Sequence, residues 1–285
     1  MDLKRYLDVK RKIVENAMNR YLPSEKTEPR TIHKAMRYSV FAGGKRLRPI
    51  LAITAFELAN GKGKSILPAA CALEFLHTYS LIHDDLPCMD DDDLRRGKPT
   101  LHKIFGEGMA VLAGDALHAL AFEILLKAKN SQVMEEVVKS IGTEGMIGGQ
   151  VADLEAEGKK VTPSQVAYIH SHKTGALIRA SIRVGAILGG AVGKKLNALS
   201  RFGDKIGLAF QITDDILDVE GEEKVIGKKT HADERKATYP KTVGLERSKK
   251  IAEELIKSAK KDLRGFGKKR VIFEELADYI VSRVN

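Results

Sequence analysis

Apolar residues recur at helical spacing along almost the whole chain, and this periodicity restricts the fold more than any other feature of the sequence. Glycine pairs and prolines interrupt it where turns between helices are expected, as at Gly43–Gly44 and Pro87. Thr162 before Pro163 is typical of an N-cap followed by proline in the first turn. Helices are predicted over 3–21, 30–42, 48–60, 65–86, 108–129, 131–141, 143–157, 163–190, 195–220, 240–263 and 270–283. The sequence therefore predicts an all-α fold with a buried middle formed by its apolar central helices.

Composition agrees with one folded domain over 1–285. Apolar residues make up 43% of the 285 residues, and no low-complexity linker divides the chain. Two cysteines, Cys71 and Cys88, are too few for a disulfide framework and favour a reduced, intracellular setting. The charged N-terminal segment does not resemble a secretory signal, and the apolar stretch VGAILGGAVG is too short to span a bilayer. We expect a cytoplasmic protein without an integral membrane segment.

The net charge of +10 is compatible with nucleic acid, an anionic membrane surface or small anionic substrates. Aromatic residues make up only 6% of the chain, tryptophan is absent, and the lysines are widely spread. Nucleic-acid binders usually carry basic stripes interleaved with aromatics, so nucleic acid is disfavoured as a partner.

One short segment, HDDLPCMDDDDLRRGKPT over 83–100, places six aspartates within ten positions. Carboxylates this close repel one another unless positive charge lies among them. Asp84 and Asp85 end an apolar helix before Pro87, and Asp90 returns from the following loop. The spacing excludes an EF-hand, because the required glycine and glutamate are missing.

A second acidic segment, QITDDILDVEG over 211–221, follows downstream. On a helix its polar residues Gln211, Asp214, Asp215 and Asp218 fall on a single face. Two facing carboxylate sets suit a polyphosphate held through Mg²⁺, since the substrate oxygens complete the coordination spheres. Basic residues in loops or beside helix breaks could also reach the phosphates: Lys45, Arg48, Arg95, Arg96, Lys173 and Lys228.

With these motifs together, the chain resembles the trans-isoprenyl diphosphate synthases, which include farnesyl and geranylgeranyl diphosphate synthases. The spacer between Asp85 and Asp90 is similar to that of the bacterial farnesyl and plant geranylgeranyl branches. The resemblance implies an isoprenoid-synthase helical bundle with a deep central cavity, and a homodimer. It rests on FAGGKRLRP (41–49), LEFLHTYSLIHDDLPCMDDDDLRRGKPT (73–100), LAGDALH (112–118), GGQVADLEAEGK (148–159), HKTGALI (172–178), QITDDILDVEG (211–221), and IGKK with KATYP (226–240).

The family resemblance implies the head-to-tail condensation of an allylic diphosphate with isopentenyl diphosphate, by ionisation, condensation and proton loss. It implies three Mg²⁺ ions bound by Asp84, Asp90 and Asp214, with Asp85 and Asp218 orienting this set. The expected contacts to the allylic diphosphate are Arg95, Lys173, Thr174, Gln211 and Lys228, of which Arg95 and Lys173 also serve catalysis. The expected contacts to isopentenyl diphosphate are Lys45, Arg48, His77 and Arg96.

Product length depends on the residues one turn before Asp84. The growing chain extends along this helix, so Tyr79 and Ser80 are predicted to form the cavity floor. An aromatic residue at position 79 resembles the bacterial farnesyl type and predicts farnesyl diphosphate, with geranylgeranyl diphosphate as the alternative. Tyr79 could instead only pack against a neighbouring helix, with the floor set elsewhere.

Two other functions are compatible with parts of this pattern. A class I terpene cyclase would share the fold and the first motif, but FAGGKRLRP and the second DDILD count against it. A catalytically silent partner subunit would tend to lose aspartates, and none is lost here.

Gly148 and Gly149 are predicted to let two helices approach closely, and Gln150 and Asp153 to form supporting hydrogen bonds.

Overall fold

The computed structural model describes residues 2–224 and 236–282, and most of these residues are helical, which confirms the all-α prediction. The helices are α1 Leu3–Tyr21, α2 Arg30–Val40, α3 Leu47–Leu58, α4 Leu67–Asp84, α5 Leu101–Phe105, α6 Glu107–Leu125, α7 Ser131–Ile141, α8 Met146–Ala156, α9 Pro163–Ile169, α10 Ala176–Leu188, α11 Gly193–Lys224, α12 Tyr239–Val243, α13 Leu245–Asp262 and α14 Val271–Val281. Two 3₁₀ segments, Leu126–Ala128 and Leu263–Arg270, and a π-helical turn, His170–Gly175, join some of them. Strands β1 Leu94–Arg95 and β2 Lys98–Pro99 form a small antiparallel hairpin.

The described residues form two compact units. Unit 1 comprises 1–53 and 63–134, and unit 2 comprises 54–62 and 135–285. The expectation of a single domain over 1–285 stays a prediction.

Unit 1 is built around α4, which is buried on most of its circumference. Leu73, Phe75 and Leu76 are fully buried, and the helix packs against α6, α1 and α2. Among the described residues, only the stretch 107–128 around α6 is long and apolar enough to cross a membrane by length and composition. Within unit 1, α6 packs against α4 and α2, and Ala113, Leu117 and Ala121 on this side are completely buried.

Unit 2 is built around α11, which packs against α10 and α13. Near the start of α11, Phe202 meets Phe273 of α14 edge-to-face, with ring centroids 5.1 Å apart. Both side chains are completely buried. Further along α11, Ile212 and Ile216 join an apolar cluster with residues of α9 and α13. This helix therefore combines core packing with the second acidic segment.

The structure departs from the predicted helices at several places, and the short helix α5, Leu101–Phe105, was not predicted. The predicted helix 163–190 contains the π-helical turn His170–Gly175 between α9 and α10. The predicted helix 240–263 is interrupted at Gly244, whose φ of +84° lies in the left-handed region. The β-hairpin was not predicted, because its two-residue strands are too short for a period-two pattern. The predicted cap at Thr162 is confirmed, since its side chain accepts a hydrogen bond from the Gln165 amide.

Replacing Phe273 with Ala should lower the free energy of unfolding by about 3–5 kcal/mol, because it empties a fully buried aromatic site. Val271→Ala is the matched control in the same helix. Val271 is 49% exposed, and its truncation should change stability by less than about 0.5 kcal/mol. Urea denaturation followed by circular dichroism measures both. Equal effects would show that the contact with Phe202 is not part of the core.

Candidate active site

The first acidic segment begins at the last turn of α4. Asp84 is the last residue of the helix and Asp85 caps it, before Pro87. The loop then turns back, so that the Asp90 amide donates to the Asp84 carbonyl oxygen at 2.8 Å. Both Asp84 and Asp90 are half-buried. The fold thus brings together the two predicted metal ligands of unit 1.

Asp85 differs from Asp84 because it is buried, with 4% of its surface exposed. Arg95 Nε donates to Asp85 Oδ1 at 2.8 Å, and its Nη2 donates to both Asp85 and Asp92. Burial raises the pKa of Asp85, and the hydrogen bond from Arg95 opposes this rise. Asp85 therefore holds Arg95 beside the aspartates. The contact of Arg95 with the allylic diphosphate stays a prediction.

The β-hairpin separates the two adjacent arginines. Arg96 and Gly97 form its two-residue turn, with φ values of 55° and 75°, as in a type I′ turn. The Arg96 guanidinium donates to the Gly43 carbonyl oxygen. A Cβ at Gly44 would lie only 2.5 Å from Arg96 Nη1, so glycine is needed to leave room for the guanidinium. Arg95 thus contacts the aspartates, whereas Arg96 contacts the glycine loop before α3.

A buried ion pair fixes this glycine loop to α4. Arg46, whose φ is +53°, donates to Glu74 Oε1 at 3.0 Å and to the Val40 carbonyl oxygen at 2.8 Å. The side chains of Arg46 and Glu74 are only 1% and 2% exposed. Glu15 lies further away, with its Oε1 3.6 Å from Arg46 Nε. The loop conformation therefore depends on a charge pair inside unit 1.

The residues predicted to bind isopentenyl diphosphate lie around this loop and the adjoining face of α4. Lys45 is exposed, and Arg48 and His77 are half-buried. Burial lowers the pKa of His77 well below its ordinary value, and the positive charges of Arg48, Arg96 and Arg46 lower it further. The His77 ring is therefore neutral at pH 7 and lies among cations, an environment that favours an anionic ligand.

Tyr79 lies in an aromatic cluster between α4 and α6. Its ring is 4.9 Å from that of His118 and 5.8 Å from that of His83, and His118 in turn contacts Phe122. Burial raises the pKa of Tyr79 to about 12. Its hydroxyl is buried and has no hydrogen-bond partner among the described residues. Ser80 donates to the His77 carbonyl oxygen at 2.9 Å. The contact with α6 is present, while the role of Tyr79 and Ser80 as a cavity floor stays a prediction.

In unit 2, the acidic segment lies on the last part of α11. Asp214 is half-buried and Asp218 exposed, but Asp215 is only 5% exposed. The Asp215 Oδ2 atom accepts hydrogen bonds from His170 Nε2 at 2.7 Å and from the Tyr239 amide at 2.9 Å. The predicted single polar face is thus divided, with Asp215 directed into the protein.

The π-helical turn carries Lys173 and Thr174, two predicted substrate ligands. Lys173 Nζ donates to Asp153 Oδ2 of α8 at 2.6 Å. Thr174 Oγ1 donates to Gln211 Oε1 of α11 at 2.7 Å. Two of the residues predicted around the allylic diphosphate, Thr174 and Gln211, are therefore in direct contact. Lys173 is held beside them from the opposite side by α8.

Glycines allow both helices to approach this turn. A Cβ at Gly149 of α8 would overlap the Lys173 backbone nitrogen, which confirms the predicted close approach at this glycine. On the other side, a Cβ at Gly207 of α11 would lie 2.9 Å from the Gly175 Cα. Larger side chains at these two positions would displace the turn that carries Lys173 and Thr174.

The accessible carboxylates of each unit are suitable ligands for magnesium ions whose coordination is completed by substrate and water. No three His, Cys, Asp or Glu side chains within 2–224 and 236–282 form a ready-made metal site. Mg²⁺ commonly binds through one or two carboxylates plus substrate phosphates and water, so Asp84, Asp90 and Asp214 are suitable ligands without such a cluster. Lys228, the remaining predicted diphosphate ligand, lies outside the described residues.

Several residues that support the site were not identified from the sequence. Glu74 carried a usable signal, because an acidic residue amid the apolar positions of a buried helix requires a partner. Its partner Arg46 lies in FAGGKRLRP (41–49), but nothing in the sequence indicates that Arg46 is buried while its basic neighbours Lys45 and Arg48 are not. His170 carried no comparable signal, since Asp215 is 45 positions away in the sequence. Asp153 was predicted to form a supporting hydrogen bond, and its ion pair with Lys173 agrees with that.

Comparison with known proteins gives consistent results. The family model described as polyprenyl synthetase matches residues 29–276. The chain is 48% identical to the heterodimeric geranylgeranyl pyrophosphate synthase large subunit 1, chloroplastic, of Arabidopsis thaliana, over 100% of this chain and 80% of that protein. It is 46% identical to the farnesyl diphosphate synthase of Geobacillus stearothermophilus, over 93% and 92%. Among solved structures, an FPP/GFPP synthase from Zymomonas mobilis superposes with a TM-score of 0.88 at 38% identity, covering 98% of each chain.

The Glu74→Leu substitution should lower the free energy of unfolding by about 3–5 kcal/mol, because Arg46 would remain buried without its close partner. Glu15→Gln is the matched control. It removes the longer and more exposed ion pair and should change stability by less than about 1 kcal/mol. Chemical denaturation measures both. A similar loss for the two variants would contradict a dominant role for the Arg46–Glu74 pair.

Proposed function

Because the chain belongs to the polyprenyl synthetase family and is a trans-prenyltransferase, we propose that it condenses isopentenyl diphosphate with dimethylallyl and geranyl diphosphate to give farnesyl diphosphate. The observation that carries the proposal is the pairing of carboxylates with phosphate-binding donors in each unit. In unit 1, Asp90 is hydrogen-bonded to Asp84, and Arg95 is hydrogen-bonded to the next residue, Asp85. In unit 2, Asp214 lies three residues after Gln211, which accepts a hydrogen bond from Thr174. Geranylgeranyl diphosphate is the alternative product, since relatives of similar identity carry either name.

The reaction begins when the C–O bond of the allylic diphosphate breaks, so that the diphosphate group leaves with the electron pair and an allylic cation remains. Negative charge then develops on the leaving diphosphate and has to be neutralised. The family acts with a divalent metal. Asp84, Asp90 and Asp214 would hold Mg²⁺, which would supply positive charge to the leaving diphosphate. Lys173 and Arg95 add charge-assisted hydrogen bonds to the same diphosphate. Thr174 and Gln211 orient it from the π-helical turn and α11.

Isopentenyl diphosphate is held by cations of unit 1 without metal. Lys45, Arg48 and Arg96 supply the positive charge, and neutral His77 supplies one N–H donor. The double bond of the bound isopentenyl group attacks the allylic cation. The new bond leaves a tertiary cation, which loses a proton to form the product double bond. The released diphosphate is the base we propose, because no side chain among the predicted ligands is an evident one.

We also propose a cytoplasmic homodimer. Val111 and Leu112 on α6 are 40% and 56% exposed, although α6 is a core helix on its other side. Contiguous exposed apolar side chains are typical of protein interfaces. Both cysteines are free thiols, as expected in a reducing compartment. Light scattering should give about twice the 31.4 kDa mass of the chain.

The direct test is to supply purified protein with Mg²⁺, isopentenyl diphosphate and either primer, and to identify products by mass spectrometry. A condensing enzyme consumes isopentenyl diphosphate and forms a C15 or C20 diphosphate. A terpene cyclase would release a hydrocarbon or alcohol instead, and a silent subunit would release nothing.

Asp84→Ala and Asp214→Ala should each lower turnover roughly a thousandfold, because each removes a ligand needed as charge develops. Near-normal turnover at saturating Mg²⁺ would contradict the metal assignment.

The divergence of the two arginines predicts different kinetic effects. Arg96→Ala should raise the KM for isopentenyl diphosphate about tenfold or more, and that for the allylic primer much less, because a charge-assisted contact contributes about 1.5–3 kcal/mol. Arg95→Ala should affect the allylic primer more. Lys98→Ala, exposed in the same hairpin, should change neither value. Equal effects of Arg95→Ala and Arg96→Ala on both substrates would show that the arginines are not divided between them.

Product length tests the role of Tyr79. Tyr79→Ala should lengthen the main product by one or more isoprene units, because it removes a buried ring from the helix along which the chain grows. Tyr79→Phe is the matched control. It removes only a hydroxyl without a described partner, so product length should stay unchanged. If Tyr79→Ala remains active and releases the original products, the ring only packs against α6.

A further inference from the structure

The last part of α11 presents two neighbouring rows of side chains with different surroundings. Gly207, Gln211 and Asp215 recur every four residues and therefore lie on one row. Each of them meets the π-helical turn His170–Gly175. Gly207 approaches Gly175, Gln211 accepts from Thr174, and Asp215 accepts from His170. The adjoining row carries the accessible Asp214 and Asp218.

Asp215 joins three elements through one carboxylate oxygen. Its Oδ2 atom accepts from His170 Nε2 in the turn and from the Tyr239 amide at the start of α12. The side chains of Asp215 and His170 are each 6% exposed, and the rings of His170 and Tyr239 lie 5.6 Å apart. Moving the carboxylate outward to an accessible metal would separate it from these two donors, which would then remain unsatisfied inside the protein.

We propose that Asp215 is a positioning residue that fixes the π-helical turn against α11, and that it is not a metal ligand. The turn holds Lys173 and Thr174, so its position sets where these two groups lie relative to Asp214. Two side-chain hydrogen bonds between described residues join the turn to α11, Asp215–His170 at one end and Gln211–Thr174 one helical turn away. The consequence for catalysis rests on the proposed function, whereas the structural role of Asp215 does not.

Hydrogen exchange measured by mass spectrometry tests the structural role. In Asp215→Ala and His170→Ala, amides of residues 170–175 should exchange about tenfold faster or more, because the turn loses one of these two hydrogen bonds to α11. Asp215→Asn should exchange like the wild type, since its amide oxygen can accept both hydrogen bonds. Asp214→Asn, the matched control one residue away, should also leave this segment protected. Unchanged protection in Asp215→Ala and His170→Ala would overturn the proposal. If neither alanine variant folds, His170→Phe replaces them, because it keeps an aromatic ring but removes the Nε2 donor to Asp215. Unchanged protection of residues 170–175 in His170→Phe would then overturn the proposal.

Ligand binding tests the second half of the proposal. Isothermal titration calorimetry with Mg²⁺ and inorganic pyrophosphate should give affinities for Asp215→Asn within about threefold of the wild type, and at least about tenfold weaker for Asp214→Asn. Equal loss in the two variants would identify Asp215 as a metal ligand and overturn the proposal.

Steady-state kinetics separate positioning from general destabilisation. Asp215→Ala should raise the KM for the allylic primer and leave that for isopentenyl diphosphate within about twofold, with rescue by Asn. Equal increases for both substrates would overturn the positioning role. If the wild type fails to condense the two diphosphates, the proposed function fails, while the exchange measurement still reports on Asp215.

Discussion

Burial of the second aspartate in each acidic motif is the constraint on which the candidate site depends. Asp85 is held by Arg95, and Asp215 is held by His170 and the Tyr239 amide. Successive residues on a helix point about 100° apart, so at the edge of a buried helix face one aspartate enters the protein while its neighbour remains accessible. A buried carboxylate is stable only with close donors. In each motif the buried aspartate therefore fixes a supporting partner, whereas Asp84 and Asp214, the predicted metal ligands, are only half-buried.

The same logic organises the cations. The chain has a net charge of +10, and several of its cations are held in place by hydrogen bonds or ion pairs with described residues. Arg46 forms a buried ion pair with Glu74, and this pair holds the loop that contains Gly43 and Gly44 against α4. Arg96 then rests on that loop, where Gly44 leaves the necessary space. In unit 2, Asp153 holds Lys173. These paired charges determine where the cations predicted to bind substrate lie, so residues outside the predicted ligand set shape the candidate site.

Much of the fold could be predicted because helical periodicity is a local property. Most of the long helices begin and end within a few residues of their predicted bounds, and the cap at Thr162 was predicted from adjacent positions. The π-helical turn at His170–Gly175 could not be predicted. Its extra residue per turn is stabilised by contacts with α8 and α11, which lie far away in the sequence. The hairpin was not predicted because its strands are only two residues long and show no period-two pattern.

By itself, the sequence determined the all-α class and the family, because these follow from periodicity and from ordered motifs. It also identified the aspartates and basic residues of the candidate site, whose types and spacing are local. Only the tertiary structure decided which aspartate of each pair is buried, that Arg95 and Arg96 diverge, and that Glu74 and His170 have charged or hydrogen-bonding roles. The physical reason is that burial and pairing depend on the elements packed alongside. His170 and Asp215 are 45 residues apart and acquire their roles only when the π-helical turn meets α11.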